Sequence, residues 1–351
     1  MTTTESLQQA RTALTVIQPE PFNAEAPAEA LAADVTPTHM HYVRSNFAIP
    51  AHDGVFTIGG QVSNPMAVRL DDLRSMPAVE RTVTLECAGN GRLAQTPLPV
   101  GEPWGKNAVS TARWTGAPLH KLLARAQATP AAVNVIFEGA DHGPYDRYQD
   151  ISFGRSLALA HAADPAAEIL IAYEMNGKPL RPEHGAPFRL IVPHWYGMAS
   201  VKWLKRIELS TDAYDGEFQT GRYVYYWGDQ RREPVTSIRV RARITDPAPR
   251  SRLPTGSHTI RGKAWTGTGP VTTVEVSVAG GSDWQRASLD PPASPGQWQN
   301  WSFDWHPTRI GRHALRARAT DAAGNVQPDI PPWNRLGYGN NAVEVIYVDI
   351  S

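Results

Sequence analysis

The chain of 351 residues contains a single cysteine, Cys87. One cysteine excludes an internal disulfide, and it also excludes the Cys-x-x-Cys-His segment to which c-type haem is attached. A lone thiol fits a reducing compartment, but it fits an oxidising one as well. Any chemistry at Cys87 therefore has to use one thiolate only.

A net charge and a long apolar run are also missing. Lys and Arg together number 34, as do Asp and Glu, which argues against nucleic acid or an anionic membrane as the main partner. No apolar run approaches the roughly 20 residues of a membrane span. Residues 1–31 carry neither a secretory signal pattern nor a twin arginine. We expect a cytoplasmic protein, or a periplasmic one if a leader has been removed.

The composition that is present is typical of a globular protein. Hydrophobic residues make up 41% of the chain and charged residues 19%. The length predicts two domains. We expect residues 1–35 to form a mobile arm, or an arm that wraps a neighbour. The remaining chain divides into a domain of mixed pattern, 36–234, and a strand-rich domain, 235–351, so the fold class is α+β.

The mixed domain alternates short strand-like and helix-like segments with long loops rich in Gly and Pro. Predicted strands are 55–58, 82–85, 133–137, 169–173 and 188–192, and predicted helices are 71–76, 119–126 and 157–163. Loops of this kind usually carry function.

The strand-rich domain alternates polar and apolar residues, as half-exposed strands do. The alternation covers 237–244, 258–264, 273–278, 298–305, 313–319 and 343–348. Six or seven short strands in about 115 residues are typical of an immunoglobulin-like β-sandwich, here without a cysteine pair.

Cys87 lies between a predicted strand and a glycine-rich turn, in Thr84-Leu-Glu-Cys-Ala-Gly-Asn-Gly-Arg92. A structural thiol is one interpretation. A nucleophile would need a histidine base and an orienting group, and no cysteine-hydrolase signature surrounds it. Zinc would need further Cys or His ligands at short spacing, and none is nearby. A metal carried by an organic cofactor needs only one protein ligand. The residues alone leave these alternatives open.

Six short segments form a family-specific pattern through their order and spacing, although each segment alone is a weak signal. They read LECAGNGR at 85–92, WTGAPL at 114–119, FEGAD at 137–141, AYEMNG at 172–177, HGAPFR at 184–189 and GMASVKWL at 197–204. With them, the chain from about His41 to Ile350 resembles the sulfite oxidase family of molybdopterin enzymes, in particular its haem-free, bacterial type.

The resemblance implies that Cys87 is the one protein ligand of molybdenum, whose other sulfurs come from the pterin dithiolene. A soft thiolate suits this metal. Arg189 and Lys202 would bond the cofactor phosphate and Asp141 would accept from pterin N–H groups. The full set of implied cofactor contacts is Tyr42, Val43, Arg44, Ser45, Asn46, Asp141, His184, Arg189, Ser200, Val201 and Lys202. Asn46 stands where close relatives often have His.

For the substrate pocket, the resemblance implies Arg44 and Arg92 as anion-binding groups. It likewise implies Trp104 and Tyr223 as pocket residues. Relatives often carry a further arginine fourth in a Trp-Asn-x-Arg segment, but here that segment is Trp333-Asn-Arg-Leu336. Strict alignment puts Leu336 at the arginine position, and Arg335 is the candidate one residue earlier.

The implied activity is molybdenum-dependent oxidation of sulfite to sulfate by oxygen-atom transfer. We expect no haem, an external electron acceptor (a cytochrome or oxygen) and a homodimer formed through the sandwich domain. One alternative is a related enzyme acting on another small sulfur or oxo-anion substrate. Nitrate is disfavoured, since nitrate-reducing relatives lack a tyrosine at the position of Tyr223. A non-catalytic binding module is the alternative from a different class.

Overall fold

The protein is described by a computed structural model that covers residues 2–227, 231–281 and 283–351. Strands outnumber helices, and the α-helices are short. They are α1 Thr3–Ala13, α2 Leu70–Arg74, α3 Leu119–Ala126, α4 Leu159–Ala162 and α5 Glu217–Thr220. Within the described ranges no helix is long and apolar enough to cross a membrane.

An N-terminal hairpin precedes the first large sheet, and this sheet carries the segment around Cys87. The hairpin strands are β1 Thr15–Gln18 and β2 Asn23–Glu25. The sheet consists of five antiparallel strands: β5 Val79–Glu86, β6 Val109–Pro118, β9 Leu170–Met175, β10 Lys178–Pro179 and β11 Arg189–Ile191. Its register sets Leu85 opposite Ser110 and Glu86 opposite Val109, so Cys87 follows the last paired residue of β5.

A second five-stranded sheet packs in the same core. Its order is β4–β3–β12–β7–β8, with only β3 and β12 parallel. The strands are β3 Val55–Gly60, β4 Met66–Arg69, β7 Asn134–Tyr145, β8 Tyr148–Ala158 and β12 Leu204–Ser210. Ile207 pairs with Ile58 on one side and with Phe137 on the other. All three side chains are buried, so the row of apolar residues faces the core.

The C-terminal region consists of two sheets, after the hairpin β13 Val224–Trp227 and β14 Arg231–Pro234. One sheet has the order β15–β17–β21–β20 and the other β16–β23–β22–β18–β19. The strands are β15 Arg241–Asp246, β16 Arg252–Leu253, β17 His258–Trp265, β18 Val271–Ser277, β19 Gln285–Arg286, β20 Ser288–Leu289, β21 Gln299–Trp305, β22 Gly311–Asp321 and β23 Val345–Ile350.

The core between these two sheets follows the alternation seen in the sequence. Along β22 the side chains of Leu315, Ala317 and Ala319 are buried, while those between them are only partly buried. Because successive strand residues point to opposite faces, this pattern places one face against the core. The prediction of a mixed domain followed by a β-sandwich is confirmed.

Two local predictions differ from the structure. The predicted helix 157–163 is shorter in the structure, since β8 extends to Ala158 and the single turn α4 covers Leu159–Ala162. The N-terminal segment, expected as a mobile arm, packs on its own chain. Ala10, Leu14 and Phe22 are buried together, and Asp34 pairs with Lys263 at 2.8 Å. The apolar residues of α1 and the hairpin supply the buried surface that a free arm would lack.

Candidate active site

Strand β5 delivers Cys87 into a cavity between the two large sheets. The Cys87 amide donates to the carbonyl of Ala108 at 2.8 Å, which continues the pairing with β6 for one residue. The Cys87 carbonyl then accepts from the amide of Asn90 at 2.9 Å. Gly91, with a φ of 83°, completes the turn in a conformation that favours glycine. The thiol is thus fixed by backbone hydrogen bonds on both of its sides.

Residues of the C-terminal domain hold this loop from the other side. The Gly339 amide donates to the carbonyl of Ala88 at 2.8 Å, and the Asn340 side chain donates to the carbonyl of Gly91 at 2.7 Å. The buried carboxylate of Glu86 accepts from Trp265 at 2.8 Å and lies 3.3 Å from Arg241. The cysteine loop is therefore positioned by both domains.

The cavity brings together most of the residues expected at the site. Twelve of them line it: Tyr42, Val43, Arg44, Ser45, Asn46, Cys87, Asp141, His184, Arg189, Ser200, Lys202 and Tyr223. His41 and Glu183, which were not predicted, line it as well. Segments more than 180 residues apart in sequence thus converge on one site.

Two cations, the buried Arg189 and the partly buried Lys202, stand at what we call the inner end, which is defined by these two residues with His184 and Asp141. Arg189 donates to the carbonyls of His184 at 3.1 Å and Ser200 at 2.8 Å. Lys202 donates to the Ser45 hydroxyl at 2.7 Å and to the Glu183 carbonyl at 2.9 Å. Within the described ranges neither cation forms an ion pair with a carboxylate. Burial, and after it the charge of Arg189, lowers the pKa of Lys202 well below its ordinary value.

The histidines of the inner end are neutral. Burial lowers the pKa of His184 to about 3, with Lys202 and Arg189 acting in the same direction. Its Nε2 lies 3.2 Å from the carbonyl of Thr38, and its ring meets that of His41 edge-on at 5.1 Å. The pKa of His41 is lowered by burial too. Both imidazoles can therefore serve as neutral hydrogen-bonding groups.

One carboxylate oxygen of Asp141 receives no hydrogen bond from the described residues. Asp141 is buried, and its Oδ1 has no hydrogen-bond partner. Burial raises its pKa to about 7, against the opposing charge of Lys202. A buried polar atom without a partner is costly, so this oxygen is suited to a donor supplied by a bound molecule.

Arg44 and Tyr223 line the cavity as well. We call them the outer rim, together with Arg92 and Glu102, which lie outside the cavity lining. The guanidinium of Arg44 lies 2.9 Å from Oε1 of Glu102. Tyr223 is buried and its hydroxyl accepts from Nδ2 of Asn46 at 3.3 Å. Its backbone has a φ of 54°, which is unusual for a bulky residue, and its ring stacks on Tyr338 at 5.4 Å.

Arg92 is the member of this rim that the resemblance assigned to the substrate pocket, but its side chain does not line the cavity. Its Nε and Nη2 donate to the carbonyl of Leu336 at 3.0 and 2.9 Å, and its Nη1 donates to the carbonyl of Glu102 at 2.6 Å. The guanidinium also lies 5.4 Å from the ring centre of Tyr338. Leu336, which occupies the position where relatives often have arginine, thus contacts Arg92 through its backbone carbonyl.

Three further expected residues lie outside the cavity lining. Trp104 is fully buried beside Cys87 in one apolar cluster, and Val201 is fully buried in the main core. The side chain of Arg335 is exposed, while its carbonyl accepts from the amide of Val100 at 3.2 Å. The structure therefore offers no support for Arg335 as a pocket arginine.

These residues fit a molybdopterin. The unpaired cations Arg189 and Lys202 suit a phosphate, and the free Oδ1 of Asp141 suits a ring N–H group. Cys87 provides one soft ligand facing the same cavity. Among the described residues no cluster of three or more His, Cys, Asp or Glu could hold a metal by itself. The donor set therefore matches a metal that brings its other ligands with it.

Comparison with known proteins agrees with this donor set. Residues 46–218 match the family model of the oxidoreductase molybdopterin binding domain, and residues 232–350 match that of the Mo-co oxidoreductase dimerisation domain. Sulfite oxidase of Gallus gallus is 36% identical over 350 residues, which cover 92% of this chain and 75% of the relative. The chain belongs to the sulfite oxidase family of molybdopterin oxidoreductases.

Other relatives in the family differ in length and activity. Mitochondrial sulfite oxidase of Homo sapiens is 36% identical over 97% of this chain, which spans 66% of that protein's length. An inducible NADH nitrate reductase of Glycine max is 34% identical over 92% of this chain and 40% of its own length. The sulfane dehydrogenase SoxCD of Paracoccus pantotrophus superposes with a TM-score of 0.83 at 29% identity, covering 95% of this chain and 85% of that one.

The sequence did not reveal Glu102, a residue of the outer rim that contacts both of its arginines. It lies in a Gly-Glu-Pro-Trp loop that carries no helix or strand period. Its carboxylate and its carbonyl contact two different arginines. The only hint in the sequence is that Glu102 follows Arg92 by ten residues, and this spacing alone does not predict a contact between them.

Proposed function

We propose that the protein oxidises sulfite to sulfate in a molybdopterin-dependent reaction. The observation that carries the proposal is one cavity lined by the thiol of Cys87, the guanidinium of Arg44 and the hydroxyl of Tyr223. It combines a soft metal ligand, a fixed cation for an oxo-anion and a hydrogen-bonding group.

Cys87 would bind the molybdenum, Arg189 and Lys202 the cofactor phosphate, and Asp141 and His184 the pterin. The bound centre would supply an oxygen atom to sulfite and accept two electrons. Burial raises the pKa of the Cys87 thiol to about 11, whereas Arg44 and Arg92 act to lower it. A metal ligand must be deprotonated, so metal binding has to release this proton.

The protein's own contribution to the reaction is to hold and orient the anion. Arg44 presents its charge to the cavity, and Arg92, fixed by Leu336, adds a second positive charge at the rim. Tyr223 is held by its stacking on Tyr338 and by Asn46, so its hydroxyl keeps one direction. Positioned charges of this kind lower the barrier because they need no rearrangement during the reaction.

The reaction balances when water supplies the oxygen atom. Sulfite and water give sulfate, two protons and two electrons, and the electrons pass to an external acceptor. We propose a cytochrome or oxygen in that role.

The test is sulfite-dependent reduction of ferricyanide by protein purified from a host that makes the cofactor. We expect turnover by the wild-type protein and a loss of more than about a hundredfold in Cys87→Ser, because the metal loses its ligand. An unchanged melting temperature and circular dichroism spectrum would show that Cys87→Ser keeps its fold. Full molybdenum occupancy without sulfite turnover would contradict the proposal.

A second candidate is oxidation of another small sulfur compound. The side chain of Arg335 is exposed and does not line the cavity, so it does not add a third arginine to the proposed anion site. The structural similarity to a sulfane dehydrogenase points in the same direction. Turnover of thiosulfate or a protein-bound sulfane, with none of sulfite, would favour this candidate.

We further propose an N-terminal segment over residues 1–35 that packs on its own chain, a cofactor domain over 36–234 and a dimerisation domain over 235–351 that forms a homodimer. On β23 the side chains of Val345 and Tyr347 are exposed and point away from the sandwich core, opposite to Ile346 and Val348. An apolar outer face suits a two-fold partner. Sedimentation velocity should give a dimer that Tyr347→Glu weakens, and a concentration-independent monomer would contradict the proposal.

A further inference from the structure

The guanidinium of Arg44 has no Nη hydrogen left for a substrate. Its Nη1 donates to Oδ1 of Asn23 and to the carbonyl of Ser45, and its Nη2 donates to Oδ1 of Asn46 at 2.7 Å and to Oε1 of Glu102 at 2.9 Å. A guanidinium carries four hydrogens on these two nitrogens. Any oxo-anion that binds Arg44 through them must therefore displace a protein acceptor.

Glu102 is the one charged acceptor among these four. Asn23 and Ser45 are buried, and Asn46 is a neutral, partly buried amide. The carboxylate side chain of Glu102 is 22% exposed, so another anion can replace it in kind. Its Oε2 also lies 3.9 Å from Nη1 of Arg92, so a single carboxylate faces both arginines of the outer rim. Although burial acts to raise it, the pKa of Glu102 is held below its ordinary value by Arg44 and Arg92, which keeps the carboxylate charged.

We propose that Glu102 is a specificity-determining residue whose carboxylate competes with oxo-anions for Arg44 and Arg92. This inference rests on the proposed function, because it assigns those arginines to the anion. With Glu102 present, the two arginines offer a net charge of one instead of two. The carboxylate thereby weakens the binding of dianions at the rim.

The same competition acts on the product. Sulfate is a dianion, and an anion site without an internal competitor would hold it after each turnover. Because Glu102 can return to Arg44 as the product leaves, it replaces the lost hydrogen bond and favours release. The carboxylate therefore weakens binding of substrate and product alike, and it protects turnover from product inhibition.

The test uses Glu102→Gln in the molybdenum-loaded protein. The amide keeps an oxygen that can accept from Arg44 but removes the charge. We expect the dissociation constant of sulfate, measured by calorimetry, to fall by roughly tenfold. The KM for sulfite should fall in parallel, kcat should not rise, and the gain should shrink at high ionic strength, because the carboxylate is partly exposed.

Glu275→Gln is the matched control. Glu275 lies on the sandwich domain with a side chain 27% exposed, 2.8 Å from Arg318, so the variant removes the same charge from a similar ion pair. Its sulfate affinity should equal that of the wild type. Sulfate affinity that is unchanged, weaker or undetectable in Glu102→Gln would overturn the inference.

The two proposals can fail separately. If the loaded wild-type protein does not oxidise sulfite but sulfate binds more tightly to Glu102→Gln, the substrate is wrong and the competing carboxylate stands. If sulfite is oxidised and sulfate affinity does not rise in the variant, the function stands and the role of Glu102 is wrong.

Discussion

The inner end and the outer rim differ in the partners of their positively charged side chains. At the inner end, Arg189 and Lys202 donate only to carbonyl and hydroxyl oxygens within the described part of the chain. At the outer rim, Arg44 forms an ion pair with Glu102, and Arg92 is fixed by the carbonyls of Leu336 and Glu102. The cations of the inner end therefore form no direct ion pair with a carboxylate in the described residues, whereas Arg44 at the outer rim does.

This difference separates a permanent ligand from an exchanging one. A buried cation without a counter-ion is expensive, and an anion that neutralises it is held tightly and is costly to remove. Such an end suits a cofactor that stays bound. An ion pair at a partly exposed rim is weaker and can be replaced by another anion. Such an end suits a substrate that binds and leaves in each catalytic cycle.

Removing a charge at the inner end is expected to have the largest effect. Lys202→Met keeps the length of the side chain and loses the charge, so the cofactor phosphate loses a charge-assisted contact worth about 1.5–3 kcal/mol. We expect molybdenum and pterin content to fall by about tenfold or more, measured by elemental analysis and pterin fluorescence at equal protein yield. Full cofactor content in this variant would mean that the inner end does not bind the phosphate.

The counterpart at the outer rim is Arg92→Met. Its side chain lies outside the cavity lining and contacts Leu336, Glu102 and Tyr338, so cofactor content should stay near that of the wild type. The KM for sulfite should instead rise by about tenfold, since one charge near the anion is lost. Equal loss of cofactor in both variants would erase the distinction between the two ends.

The sequence predicted the framework well, because period and motif act locally. The helix 119–126 agrees with α3 to the residue, and the alternation over 313–319 falls inside β22. The resemblance placed Cys87 and Lys202 in one site although 115 positions separate them, and both line the cavity. Such predictions succeed where local propensity and tertiary packing favour the same conformation.

The predictions failed where long-range contacts decide the conformation. Residues 1–35 were expected to form a mobile arm or one that wraps a neighbour, yet Ser6 is buried and donates to Glu183 across 177 positions. Arg335 was considered for the pocket because of its spacing from Trp333. The backbone at Leu336 contacts Arg92 instead, and the Arg335 side chain is exposed. Neither contact has a periodic signature in the sequence.

A further prediction concerns protons at the inner end of the cofactor-free protein. His184 is buried and its pKa is lowered by burial to about 3, below the ordinary value of 6.5. As the pH falls below about 6.5, the unfolded chain binds a proton there and the folded chain does not. The free energy of unfolding should therefore decrease by up to about 1.4 kcal/mol per pH unit between pH 6.5 and the folded pKa.

The diagnostic measurement compares this slope with that of His184→Gln by urea unfolding. The wild-type slope alone is ambiguous, because burial raises the pKa of Asp141 to about 7 and this carboxyl acts with the opposite sign. His184→Gln removes only the histidine contribution, so its stability should fall less on acidification than that of the wild type. If His184→Gln keeps the wild-type slope, the inner end is open enough to water for His184 to be protonated in the folded state. The two ends of the cavity would then be equally hydrated, and burial would no longer explain why one binds its anion permanently and the other exchanges it.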